Sequence, residues 1–167
     1  TTSRIFDELF DGSKKILDCA AGTGIYAFHL AERGHEVTAT DITPRHVEIM
    51  DKIILQNGGL KIGNQNIDVI FSHNDPMTLG LLESLEENKI TSNKTVIISI
   101  DAEQESIDSL KEGKLNCVVE CNPNLGPTLM DLVEKVASGE EIPRTTYMKE
   151  TVFTENDDFS TYTPRGY

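Results

Sequence analysis

Five short apolar runs recur along the chain, separated by stretches of helical spacing that glycine or proline punctuates. The fourth, Thr95-Val96-Ile97-Ile98-Ser99-Ile100, is apolar without alternation, and such a run suits a parallel strand covered on both faces. The others are Lys15–Cys19, Glu36–Thr40, Asp68–Ser72 and Cys117–Cys121. Helices are expected between them. One runs from Gly24 to Arg33 and is closed by Gly34; a second starts at Thr43-Pro44 and reaches about Gln56. A third is capped by Asp75-Pro76, with Met77, Leu81, Leu82 and Leu85 at helical spacing. Ala102 to Glu112 stops at Gly113, and a last helix runs from Gly126-Pro127 to Gly139. Strands alternating with helices imply right-handed crossovers. The expected fold is therefore α/β, a three-layer doubly wound five-stranded parallel sheet of Rossmann-like or flavodoxin-like order 2-1-3-4-5. An amphipathic N-terminal helix carrying Ile5, Phe6, Leu9 and Phe10 precedes it. Tyr147–Phe153 is a candidate final strand, and the last residues read as a tail.

The 167 residues make one domain, 1–167. The formal net charge of −13 argues against a nucleic acid or an anionic membrane as partner, because both require clustered Lys and Arg. No apolar run approaches the roughly 18 residues of a membrane span. The acidity is uneven: residues 1–56 carry 6 basic and 9 acidic side chains, residues 57–167 carry 9 and 19. The 3 cysteines are Cys19, Cys117 and Cys121. On one strand, Cys117 and Cys121 would lie about 13 Å apart, too far for a disulfide. No Cys or His spacing matches a metal site, so no metal is expected, and the cysteines read as buried free thiols.

In this architecture ligands sit at the carboxyl ends of strands. The first such turn is Asp18-Cys19-Ala20-Ala21-Gly22-Thr23-Gly24, and Asp41 ends the second strand. Gly22 to Ala27 also fits the dinucleotide fingerprint, a weak pattern by itself. The wider stretch, Lys15 to Gly24 followed by Leu30 to Asp41, resembles the start of class I S-adenosylmethionine-dependent methyltransferases. The resemblance implies that Asp18 opens the loop, that Gly22 and Gly24 line the methionine part of the cofactor, and that Asp41 holds its ribose. Ala20 stands where many members have glycine, which would crowd the loop. The plainer reading is a turn whose glycines only permit tight packing.

From about residue 50 onward the pattern changes. Asp68-Val69-Ile70-Phe71-Ser72-His73-Asn74-Asp75-Pro76-Met77, Ile98-Ser99-Ile100-Asp101-Ala102 and Cys117-Val118-Val119-Glu120-Cys121-Asn122-Pro123 resemble three strand ends in the C-terminal lobe of type I periplasmic sugar-binding proteins. That resemblance implies sugar contacts at Asn74, Asp75, Asp101, Glu120 and Asn122. Carboxylates and amides suit such work because each can bridge two hydroxyls. Asp75 and Asp101 are equally well placed as helix N-caps.

Together the resemblances divide the domain into a methyltransferase-like segment 1–50 and a sugar-binding-protein-like segment 51–167, joined inside the second helix between Pro44 and Leu55. A join inside one helix implies a splice of two frameworks, and an engineered chimera without native catalysis is the expected function. No catalytic residue is assigned, since His29, His35, His46 and His73 share no motif, and no cofactor is required. The alternative is retained binding of S-adenosylmethionine, S-adenosylhomocysteine or a sugar, with an active methyltransferase further behind. An apolar surface left by the missing lobe is expected to promote self-association, and a cytoplasmic location is expected for a chain without a leader.

Overall fold

The centre of the sheet forms where both strand faces are apolar. In the computed structural model, which describes Phe6 and residues 10–49, 67–87, 95–164 and 166–167, all four residues of the strand Val69–Ser72 are buried. The elements in chain order are β1 (Lys15–Cys19), α1 (Ile25–Glu32), β2 (Glu36–Thr40), β3 (Val69–Ser72), α2 (Asp75–Glu87), β4 (Val96–Asp101), α3 (Gln104–Lys111), β5 (Cys117–Glu120), α4 (Gly126–Ala137) and β6 (Val152–Thr154). Residues 44–49 are also helical. The join expected between Pro44 and Leu55, the helix end near Gln56, and Ile5 and Leu9 of the N-terminal helix fall wholly or partly outside the described residues.

The sheet order is β2-β1-β3-β4-β5-β6, and the first five strands pair in parallel. The α/β class and the order of those five strands are as expected. The sheet has a sixth strand, which corrects the five-stranded expectation. β6 pairs antiparallel with β5, setting Val152 beside Val119 and Phe153 beside Val118. It is a three-residue edge strand, too short for alternation to declare it.

Alternation along the strands divides the core between two faces. On one, Phe6, Ile16, Ala27, Leu30, Val37, Phe71, Ile98 and Cys117 pack together. On the other, Leu82, Ile97, Ile107, Leu110, Leu115, Val118 and Phe153 form a second cluster beneath α2 and α3. Each such large side chain contributes about 1.5–3 kcal/mol when fully buried. Gly34, at φ 86, ends α1 with a left-handed turn that a side chain would strain.

Two local expectations change. Asp75 does not cap its own helix: the Asn74 side chain does, with Oδ1 accepting from Met77 N–H at 2.9 Å. Asp101 does not cap α3 either, because Glu103 occupies that position. The thiols are not all buried. Cys117 is buried, Cys19 is half-buried and Cys121 is exposed, since β5 stops at Glu120. The helix α4 buries none of its residues, leaving Leu125, Leu129, Met130, Val133 and Val136 each about half exposed.

Candidate functional site at the strand ends

The carboxyl ends of β1, β3, β4 and β5 bring most of the expected residues to one edge of the sheet. Their hydrogen bonds separate those that hold the loops from those that face outward.

Asp75 holds a loop. It is fully buried; its Oδ1 contacts the Ser99 hydroxyl, and its Oδ2 accepts from Glu103 N–H at 2.6 Å. Burial pushes its pKa up, against the lowering effect of those hydrogen bonds. It therefore ties the start of α2 to the turn before α3 and is withdrawn from ligand. Glu120 is withdrawn too. At 2% exposed, it accepts from Thr151 N–H and from the Tyr167 hydroxyl, each at 2.8 Å. It lies inside β5 rather than on the following loop, and it anchors the approach to β6. Asp75 and Glu120, both expected as sugar contacts, are thus found holding loops.

Asn74, Asp101 and Asn122 remain half-buried at the ends of β3, β4 and β5. Asn122 Oδ1 accepts from Asn124 N–H at 2.9 Å and fixes its own loop. Neither Asn74 nor Asn122 uses its side-chain N–H donors on a described residue. Asp101 ends β4 with φ 118, and Ala102 follows at φ 67. These backbone conformations are costly for non-glycine residues and turn the chain sharply at the edge. Burial and then the nearby Asp75 charge push the Asp101 carboxyl up.

The glycine loop is arranged differently from its resemblance. Asp41 accepts from Gly22 N–H at 2.8 Å and from Thr43 N–H at 2.8 Å, and its Oδ1 lies 3.1 Å from His46 Nδ1. The Thr43 amide, followed by Gly22 and His46, holds its pKa down to about 2 against a smaller effect of burial. Both oxygens implied for a ribose are thus already engaged by the loop itself. Ala20 adopts φ 57, a left-handed backbone like that of Gly22 and Gly24 in the same loop.

Asp18 is fully buried on the apolar face, level with Phe71, and its Oδ1 lies 2.7 Å from His73 Nε2. This pair was not visible in the motifs. Asp18 and His73 stand 55 residues apart. Only the adjacency of β1 and β3, with Phe71 and His73 on one face, brings them together.

The parallel α/β lobe carries two amides and a carboxylate, Asn74, Asn122 and Asp101, on three successive strand ends. The periplasmic binding protein domain model matches residues 31–141. The chain belongs to that family. Among curated proteins it is 28% identical over 109 residues to the galactofuranose-binding protein YtfQ of Escherichia coli, covering 64% of this chain and 33% of that protein. It is 27% identical over 84 residues to the ribose import binding protein RbsB of Bacillus subtilis, covering 50% of this chain and 27% of that protein. A solved structure from Mycobacterium smegmatis in complex with β-D-fucofuranose matches with TM-score 0.62 and 28% identity, over 92% of this chain and 54% of that one. The chain thus spans about a third of the length of the curated relatives and about half that of the solved chain. The structural match also reaches well into residues 1–50, the segment assigned above to a second parent.

Proposed function

We propose that the chain is a monosaccharide-binding lobe that takes a sugar in its five-membered-ring form through Asn74, Asp101 and Asn122. The observation that carries this reading is the division of labour at the strand ends. Asp75 and Glu120 are consumed in holding loops, while the outer three keep polar atoms for a ligand. An amide offers a donor and an acceptor to adjacent hydroxyls, and a carboxylate accepts from two. The furanose form is supported by the galactofuranose and fucofuranose named for two relatives. The work is binding, not catalysis.

A thermal-shift panel tests this. A methyl furanoside at 100 times its dissociation constant stabilises the fold by about 2.7 kcal/mol. S-adenosylhomocysteine leaves the midpoint unchanged. A rise with S-adenosylhomocysteine that Asp41→Ala abolishes would instead favour the second reading, a splice whose residues 1–50 retain a methyltransferase-type loop. That reading is supported by the order of Asp18, Gly22, Gly24 and Asp41 and opposed by the engagement of Asp41. No shift with any ligand would favour an inert chimera.

A further inference from the structure

The strand order makes the gap between β1 and β3 the point where the chain's progression through the sheet reverses. Ligands of open α/β sheets bind at that crevice. Asp18 and His73 occupy it, and the sugar reading above uses neither.

Asp18 Oδ1 meets His73 Nε2 at 2.7 Å, while Asp18 Oδ2 is buried without a hydrogen-bond partner. The Asp18 contact occupies Nε2, and in the tautomer that places the shared proton there the other ring nitrogen carries a lone pair. His73 Nδ1 takes no partner among the described residues, and the side chain keeps 24% of its surface exposed. Phe71 and Tyr26 hold the ring, with centroids 4.7 and 5.6 Å from it. His73 also immediately precedes Asn74, the residue proposed to contact sugar.

The geometry points to His73 as a further specificity-determining residue: locked by Asp18, it presents Nδ1 as a hydrogen-bond acceptor to a ligand hydroxyl at the β1–β3 crevice. This rests on the sugar-binding reading. Asn74 and Asn122 supply side-chain donors, and His73 supplies an acceptor on a ring held by Asp18, Phe71 and Tyr26. Asp18 is a positioning residue, acting only through the tautomer it imposes. A ligand reaching both His73 and Asn74 must offer a hydroxyl on the β1 side, and a deoxy sugar lacking it is rejected.

The test is nitrogen-detected NMR of the histidine rings at pH 8, with and without methyl β-D-galactofuranoside. In the free protein His73 is expected to show a protonated Nε2 and an unprotonated Nδ1. Sugar shifts the Nδ1 resonance. Asp18→Asn scrambles or reverses the tautomer, as removing a carboxylate partner does for other histidines. His73→Lys keeps a donor toward Asp18 and carries no acceptor, so it weakens binding roughly five- to tenfold while the melting midpoint holds. A protonated Nδ1 in the free protein overturns the assignment whatever the sugar does. If sugar moves Asn74 and Asp101 resonances while Nδ1 stays still and His73→Lys binds like the parent, His73 is not a contact and the sugar reading survives. If sugar moves none of them, both fail together.

Discussion

Thr78 and Ser99 set their hydroxyl oxygens 2.6 Å apart between α2 and β4, both fully buried. Thr78 Oγ1 also lies 2.9 Å from the Asn74 carbonyl, and Ser99 Oγ contacts Asp75 Oδ1. Ser99 Oγ donates to Asp75 Oδ1, and burial pushes the Asp75 pKa up against that bond.

Asp75→Asn should be better tolerated than Asp75→Ala, because an amide can still exchange a hydrogen bond with Ser99 and accept from Glu103 N–H. Asp75→Ala leaves Ser99 and the Glu103 N–H unsatisfied and should cost about 2–4 kcal/mol in urea denaturation. A raised pKa stabilises below the unfolded value and loses that contribution as pH rises through the folded one. Asp75→Asn removes that dependence, so its stability relative to the parent should improve as pH is raised. Equal damage by Asn and Ala would show that Asp75 works as an anion.

Asp41 has the opposite sign. Its pKa is lowered from 3.8 to about 2, so its contribution is complete above about pH 4 and disappears as pH falls toward 2. The melting midpoints of the parent and Asp41→Asn should differ at pH 6 and converge near pH 2. A constant difference across that range would contradict the hydrogen-bonded loop.

Ala20 sits at φ 57, a conformation costing an L-residue about 1–2 kcal/mol and glycine none. After the extra flexibility glycine gives the unfolded chain, Ala20→Gly should stabilise by about 0.5–1 kcal/mol. Calorimetry should register a rise of about 2 °C. A fall would mean the methyl group packs usefully.

Cys121 is exposed and its N–H donates to the Asp101 carbonyl at 3.1 Å, so it reports on the site. Cys117 is buried, and burial pushes its thiol up to about 11. Iodoacetamide followed by mass spectrometry should modify Cys121 in the native protein and Cys117 only on unfolding. A bound furanoside should slow the Cys121 reaction; an unchanged rate at saturation would place the ligand elsewhere.

The first five strands were legible because each is an apolar run with punctuation, and Gly34, Gly113 and Gly139 end helices where the spacing put them. β6 was marginal, since its three residues gain their place from β5 rather than from their own pattern. The strand-end positions of Asn74, Asp101 and Asn122 followed from the motifs. The division among the acidic groups did not. Asp75 and Glu120 look like any strand-end carboxylate until Glu103 N–H and the Tyr167 hydroxyl are seen to reach them. Asp41 is similar, closed by two amides that are 19 and 2 residues away in sequence. Such roles depend on which loops meet, which spacing along the chain does not encode.

The most direct measurement is an amide NMR titration of the labelled protein with methyl β-D-galactofuranoside, repeated with the pyranoside and with Asn74→Ala and Asp101→Ala. Saturable shifts clustered at residues 73–75, 101–102 and 121–123 are expected. They should weaken for the pyranoside and vanish in both variants. Shifts that stay linear to the highest concentration, or that both variants preserve, would contradict a sugar site on these strand ends.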